Sequence, residues 1–176
     1  MTDWAKILHD GCPQGHSSII AGFALSLPDI VEKYAIDTPL RQAHFLAQTA
    51  WESDHFSTTV EYASGHAYEH RADLGNTRPG DGAKYKGRGL IQITGLTNYA
   101  KVGKELGRDF VANPKLLETF PFAATAAALY WRDRHINTFA DRDDCGRVTR
   151  MINGGLNGFV GRLRLTQQFK HALGVK

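Results

Sequence analysis

The sequence predicts a mainly α-helical domain with one very small strand region. Apolar residues recur at intervals of three and four along most of the chain, and cap-type residues precede several of those runs. Only Leu90-Ile91-Gln92-Ile93-Thr94 alternates with a period of two. The 176 residues fall within the ~100–200 of one domain, so a single unit over residues 1–176 is expected. A chain of that length buries ~70% of its unfolded surface and needs neither metal nor disulfide to fold.

Thr2-Asp3 opens a short helix that carries Trp4, Ile7 and Leu8 and ends near Gly11. Ser17 to Leu27 is a second helix, stopped by Pro28, and Ile30, Val31 and Tyr34 suggest a third. Thr38-Pro39 begins the clearest helix, because the missing N–H of proline has no partner to lose at a first helical position. Leu40, Ala43, Ala47, Ala50 and Trp51 form its apolar side, with Arg41, His44, Gln48 and Glu52 along a polar edge. Residues 53–86 turn polar and Gly-rich, a long loop with room for one short helix; such loops in small domains are commonly functional. The spacing predicts helices over 98–106, 122–135, 148–152 and 160–173. The Ala-rich segment from Phe122 forms the core helix.

With 42% hydrophobic and 22% charged residues, the composition excludes disordered, collagenous and coiled-coil proteins. A net charge of +3 suits an anionic polymer such as cell wall, but no basic–aromatic stripe points to nucleic acid. Two cysteines, Cys12 and Cys145, are too few for a disulfide scaffold; whether they pair is left open. The longest apolar stretch, Ile19 to Leu27, falls short of the ~20 residues of a membrane span. It has no basic leader or small-residue cleavage site, so the expectation is a cytosolic protein with no signal peptide and no stable membrane insertion.

Two glutamates stand out. Glu52 closes an apolar helix, where the negative end of the helix dipole and partial burial both disfavour the ionised form; a carboxyl kept protonated suits a general acid. Glu61 follows nine residues later, a stretch that would span ~30 Å if extended, so the chain must fold back for the two to cooperate. Inverting glycosidases hold such a pair ~6.5–9.5 Å apart with a water between. The spacing alone also fits two solvated carboxylates. Further on, glycines flank Arg88, and Gln92, Thr94 and Asn98 project short polar groups suited to sugar hydroxyls, acetamides or a catalytic water. The Gly87–Gly89 segment lacks the Gly-Lys-Ser/Thr ending of a phosphate loop and the third glycine of a dinucleotide site.

Residues 43–53 (Ala-His-Phe-Leu-Ala-Gln-Thr-Ala-Trp-Glu-Ser), Glu61, residues 85–99 (Tyr-Lys-Gly-Arg-Gly-Leu-Ile-Gln-Ile-Thr-Gly-Leu-Thr-Asn-Tyr) and Ile152-Asn153-Gly154-Gly155 resemble glycoside hydrolase family 19, nearest its phage endolysin branch. The resemblance runs from about Thr38 to Phe169. It implies a lysozyme-like, two-lobed α+β domain with a cleft, and an inverting mechanism. Carried onto this chain, it makes Glu52 the general acid and Glu61 the base. Gln92, Thr94, Asn98, Tyr99 and Asn153 become water- and sugar-binding groups, and Arg162 the arginine of the last helix. Asp54-His55 stands where the family usually has Gly-Gly, which leaves the loop after the acid open, and Glu69 is a rival base.

The resulting expectation is a phage or prophage endolysin that cuts the β-1,4 bonds of peptidoglycan glycan strands without cofactor or metal. It would act as a monomer with no separate wall-binding domain, and would wait in the host cytosol until a membrane pore admits it to the wall. A chitinase acting on GlcNAc polymers is the alternative. A zinc peptidase comes third: His66-Ala-Tyr-Glu69-His70 matches an inverted zinc motif, provided it lies on a sustained helix. Asp141, Asp143 and Asp144 read as caps of the following helix rather than as a metal site.

Overall fold

The computed structural model describes residues 2–175. Its helices are α1 (Trp4–Gly11), α2 (Ser17–Lys33), α3 (Pro39–Glu52), α4 (Asp81–Lys84), α5 (Leu96–Leu106), α6 (Phe122–Asp133), α7 (Asn137–Ala140), α8 (Cys145–Asn153) and α9 (Phe159–Ala172). Short 3₁₀ turns occupy His66–Tyr68, Ala72–Leu74 and Pro114–Glu118. The expected caps are present. Asp3 accepts from the Lys6 amide, Thr38 from the Arg41 amide and Asp144 from the Arg147 amide, each satisfying an N–H that its helix leaves unpaired.

Two expectations are corrected. Helix α2 passes through Pro28 and absorbs the segment assigned to a third helix. Proline removes one intrahelical bond, and the burial of Phe23, Leu27 and Ile30 on a common face outweighs that loss. The Leu90–Thr94 segment is not a strand. Among the described residues the extended pairing there consists of two isolated antiparallel bridges, Val60 with Arg88 and Arg88 with Ile93, which close a tight turn with Gln92 at φ +56°. The alternation itself holds: Ile91 and Ile93 are buried, while Gln92 and Thr94 are half-buried. A turn can alternate faces as a strand does, so periodicity alone did not separate them.

The core is one contiguous apolar cluster, with α3 at its centre against α9 and with α1 against both α2 and α9. Phe45 meets Trp131 edge-on at 5.4 Å and Phe23 edge-on at 6.2 Å, linking α2, α3 and α6. Burying each such side chain contributes ~1.5–3 kcal/mol, so α3 is held far more firmly than its intrinsic helix propensity would allow. The polar edge expected for α3 is not solvated: His44 and Gln48 are wholly buried. Among the described residues no helix is long and apolar enough to cross a membrane. Both cysteines are free and buried, and burial pushes the Cys12 thiol up to about 11.

Candidate active site

Glu52 is the last residue of α3. The helix stops because the Ser53 hydroxyl donates back to the Thr49 carbonyl (2.7 Å) and accepts from the Phe56 amide (3.2 Å). Asp54, His55 and Phe56 then all adopt left-handed backbone, φ +50° to +60°. Asp54 and His55 therefore accept, at some steric cost, a conformation that glycine would adopt freely. The loop left open by the sequence keeps a glycine-like path without glycine.

The Glu52 side chain, about a fifth exposed (21%), accepts from Arg162 Nη2 at 2.5 Å. Arg162 is buried, with Nη1 donating to Gln48 Oε1 (2.6 Å) and Nε to the Asn157 carbonyl (3.1 Å). This contact depends on two glycines. The Trp51 ring lies so close to α9 that a Cβ on Gly161 would sit 1.9 Å from it and one on Gly158 2.3 Å from it. Only bare backbone there lets α9 approach closely enough to present Arg162. A buried guanidinium with all three nitrogens engaged holds the Glu52 carboxyl in one place.

Glu61 is held differently. Its Oε1 accepts from the Tyr68 hydroxyl (3.0 Å) and its Oε2 from the Gly87 amide (3.0 Å), while its own N–H donates to the Gly87 carbonyl (2.9 Å). Burial, and then the hydrogen bond to Glu61, push the Tyr68 phenol up, keeping it a donor. The chain does fold back as required. Tyr62, next to Glu61, donates its hydroxyl to Asp54, two residues after Glu52, at 2.9 Å.

Gln92 stands beside Glu61: a Cβ on Gly87 would lie 2.7 Å from Gln92 Oε1 and 3.2 Å from Glu61 Oε2. Thr94 donates to the Gln92 carbonyl and Asn98 to the Thr94 carbonyl, so the three polar groups form one linked edge. They line a cavity of about 320 Å³ whose other wall includes Tyr130, Arg134 and Ile152. Neither glutamate lines the cavity itself, but each is coupled to a residue that does. Gln92 stands next to Glu61, and the charge of Glu52 reaches the Tyr130 phenol, which is pushed up mainly by burial.

Four assigned residues turn out otherwise. Tyr99 is buried; its hydroxyl accepts from Arg88 and donates to the Lys86 carbonyl, so it braces the 86–93 turn instead of facing a ligand. Glu69 accepts from the Gly80 and Gly82 amides at the start of α4, one on each carboxylate oxygen, and so holds that loop. His66 lies on a 3₁₀ turn that ends at Tyr68 and His70 lies beyond it in left-handed backbone, so the sustained helix that the zinc arrangement needs is not there. Among the described residues no group of three or more His, Cys, Asp or Glu could hold a metal. Asn153 ends α8, exposed, beside the cavity-lining Ile152. Asp144 caps α8 as expected, whereas Asp141 pairs with Arg41 and Asp143 with His44 and Lys170.

The sequence reading missed Tyr68, Gly87 and Gln48 as site residues. Gln48 did carry a signal: it lies one turn before Glu52 on the same helix face, as a polar group among alanines. Tyr68 and Gly87 act through contacts 7 and 26 residues away in sequence, and nothing local marks them.

The family described as chitinase class I matches residues 20–140, more than half of the chain. This protein belongs to glycosyl hydrolase family 19. The matched stretch contains Glu52, Glu61, Gln92, Thr94 and Asn98; Asn153 and Arg162 lie beyond it. A glycosyl hydrolase family 19 domain-containing protein of Haemophilus influenzae is 40% identical over 105 residues, covering 60% of this chain and 50% of that protein. Acidic endochitinase Q of Nicotiana tabacum is 28% identical over 149 residues, covering 72% of this chain and 56% of that one. The chain thus spans about half the length of these curated relatives. Among solved structures, chitinase C from Streptomyces griseus HUT6037 superposes with a TM-score of 0.73 at 22% identity, covering 100% of this chain and 79% of that one. A bacterial family 19 chitinase superposes with a TM-score of 0.71 at 23% identity, covering 97% and 94%. At such identities the likeness is one of fold: the mainly helical, lysozyme-like fold of family 19.

Proposed function

We propose that this family 19 member is an inverting glycosidase that cuts the β-1,4 bonds of peptidoglycan glycan strands and acts as an endolysin. The supporting observation is the pair of carboxylates held by independent means: Glu52 against the buried Arg162, and Glu61 between Tyr68 and the Gly87 amide. Glu52 protonates the leaving oxygen. Glu61 removes a proton from a water held with Thr94 and Asn98. A positively charged protein suits an anionic wall polymer. On this reading a membrane pore admits it from the host cytosol to the wall.

A second reading, a chitinase, is favoured by the names of its relatives, endochitinases among them. Lysis of outer-membrane-permeabilised cells, followed by mass analysis of the fragments, separates the two. New reducing ends from peptidoglycan support the proposal, cleavage of chitin oligomers alone supports the chitinase, and new free amines would overturn both. Glu52→Gln should lower the rate ~10²–10⁴-fold, the usual weight of general acid catalysis, with the chain still folded. Lysis at the wild-type rate by that variant would overturn the mechanism.

A further inference from the structure

One cation in the cavity has no counter-charge. Arg134 follows the end of α6, and its guanidinium lies over the ring of Tyr130, one helical turn earlier, 3.4 Å from the centroid. Both residues line the cavity that contains Gln92, Thr94 and Asn98. The other cations nearby are paired: Lys101 with Asp133 (2.9 Å), and Arg132 with Glu105 (3.2 Å) and Asp133 (2.8 Å). Asp133 is the nearest acid in sequence, and those two partners already engage it. Arg134 pairs with no carboxylate among the described residues. Stacking on Tyr130 fixes the plane of the guanidinium, so it forfeits little freedom when it binds and keeps its N–H fork for a planar anion.

We propose that Arg134 is a specificity-determining residue that pairs with a carboxylate carried by the glycan, so that the site prefers peptidoglycan to chitin. Peptidoglycan carries free carboxylates on the stem peptides attached through the lactyl ether of alternate sugars, whereas the acetamido sugars of chitin carry no charge. The inference rests on the peptidoglycan reading above.

The test compares purified sacculi with sacculi whose carboxylates have been converted to neutral amides by carbodiimide and glycinamide, using wild type, Arg134→Gln and Arg134→Lys. For wild type, kcat/KM should fall about tenfold on amidation, the weight of one charge-assisted pair. Arg134→Gln should cut both forms at one similar, reduced rate, and Arg134→Lys should recover part of the difference. If wild type cuts both forms equally, or Arg134→Gln keeps the wild-type ratio, the inference falls and the peptidoglycan reading stands. If wild type cuts neither sacculus but cuts chitin oligomers, both fall. The wild-type arm alone decides the matter should a variant fail to fold.

Discussion

Glu52 projects from a helix packed among helices, whereas Glu61 lies in residues 53–95, a segment ordered chiefly by turns and backbone hydrogen bonds. On the helical side, Glu52 is positioned by side chains. Arg162 reaches Glu52 and Gln48 across the α3–α9 interface, and the same helix face continues to His44, bound to Asp143. On the loop side, Glu61 is positioned by an amide, a tyrosine and the absence of a side chain at Gly87. Glu52, the proposed acid, is therefore tied to global stability, while Glu61, the proposed base, can be disturbed locally. Three experiments would break or sharpen that contrast.

Arg162→Ala should have the largest effect. It leaves Glu52 and Gln48 facing a void and should cost ~3–5 kcal/mol, the usual penalty for breaking a buried charged pair, read by urea or thermal unfolding. A loss below ~1 kcal/mol would mean that the clamp does not tie the acid to the fold.

Gly87→Ala should separate activity from stability. Gly87 has no left-handed backbone to disfavour alanine, so the added methyl meets only the Gln92 amide and the Glu61 carboxylate. The expected cost is ~1–2 kcal/mol of strain, against a ~10²-fold fall in kcat from displacing the base. Retained kcat in a reducing-end assay would remove the Glu61–Gly87–Gln92 cluster from the reaction.

The third effect is smaller and belongs to the helical side. Burial lowers the pKa of His44 below its ordinary value; Asp143 opposes that shift, and the Lys170 charge adds to it. The unfolded chain takes up a proton as pH falls through ~6.5 while the folded chain does not, so the stability His44 provides is complete above that pH and declines below it. Asp143, held below its usual range by Lys170 and His44 despite its own partial burial, acts in a separate window, more acidic still. The unfolding free energy of wild type should fall between pH 6.5 and 5, by at most ~1.4 kcal/mol per pH unit, and His44→Asn should flatten that slope. An unchanged slope would show that His44 does not titrate with folding.

Much of the helical frame was legible because its signals are local. Thr38-Pro39 announces α3 and Asp3 announces α1, and both caps form. Where local signals failed, long-range packing had overridden them. Pro28 reads as a stop, yet α2 continues because Ile30 is drawn into the same core as Phe23 and Leu27. His44 and Gln48 read as a solvated edge, yet α8 and α9 cover them. In the site, the motif residues Glu52, Glu61, Gln92, Thr94 and Asn98 were visible as a pattern, but Tyr99 and Glu69 looked equally chemical and serve as braces.

From the sequence alone come the run of helices, the family's motif residues and the order in which they occur along the chain. Those follow from periodicity, caps and residue type, which act over a few positions. Tertiary structure alone decided which charge meets which. Arg162 finds Glu52 from 110 residues away, Glu118 takes Arg88, the α4 backbone takes Glu69, and Arg134 is left facing the cavity without a partner. Electrostatic pairing is set by distances of a few ångströms between segments remote in sequence, and only the packed core brings those segments together.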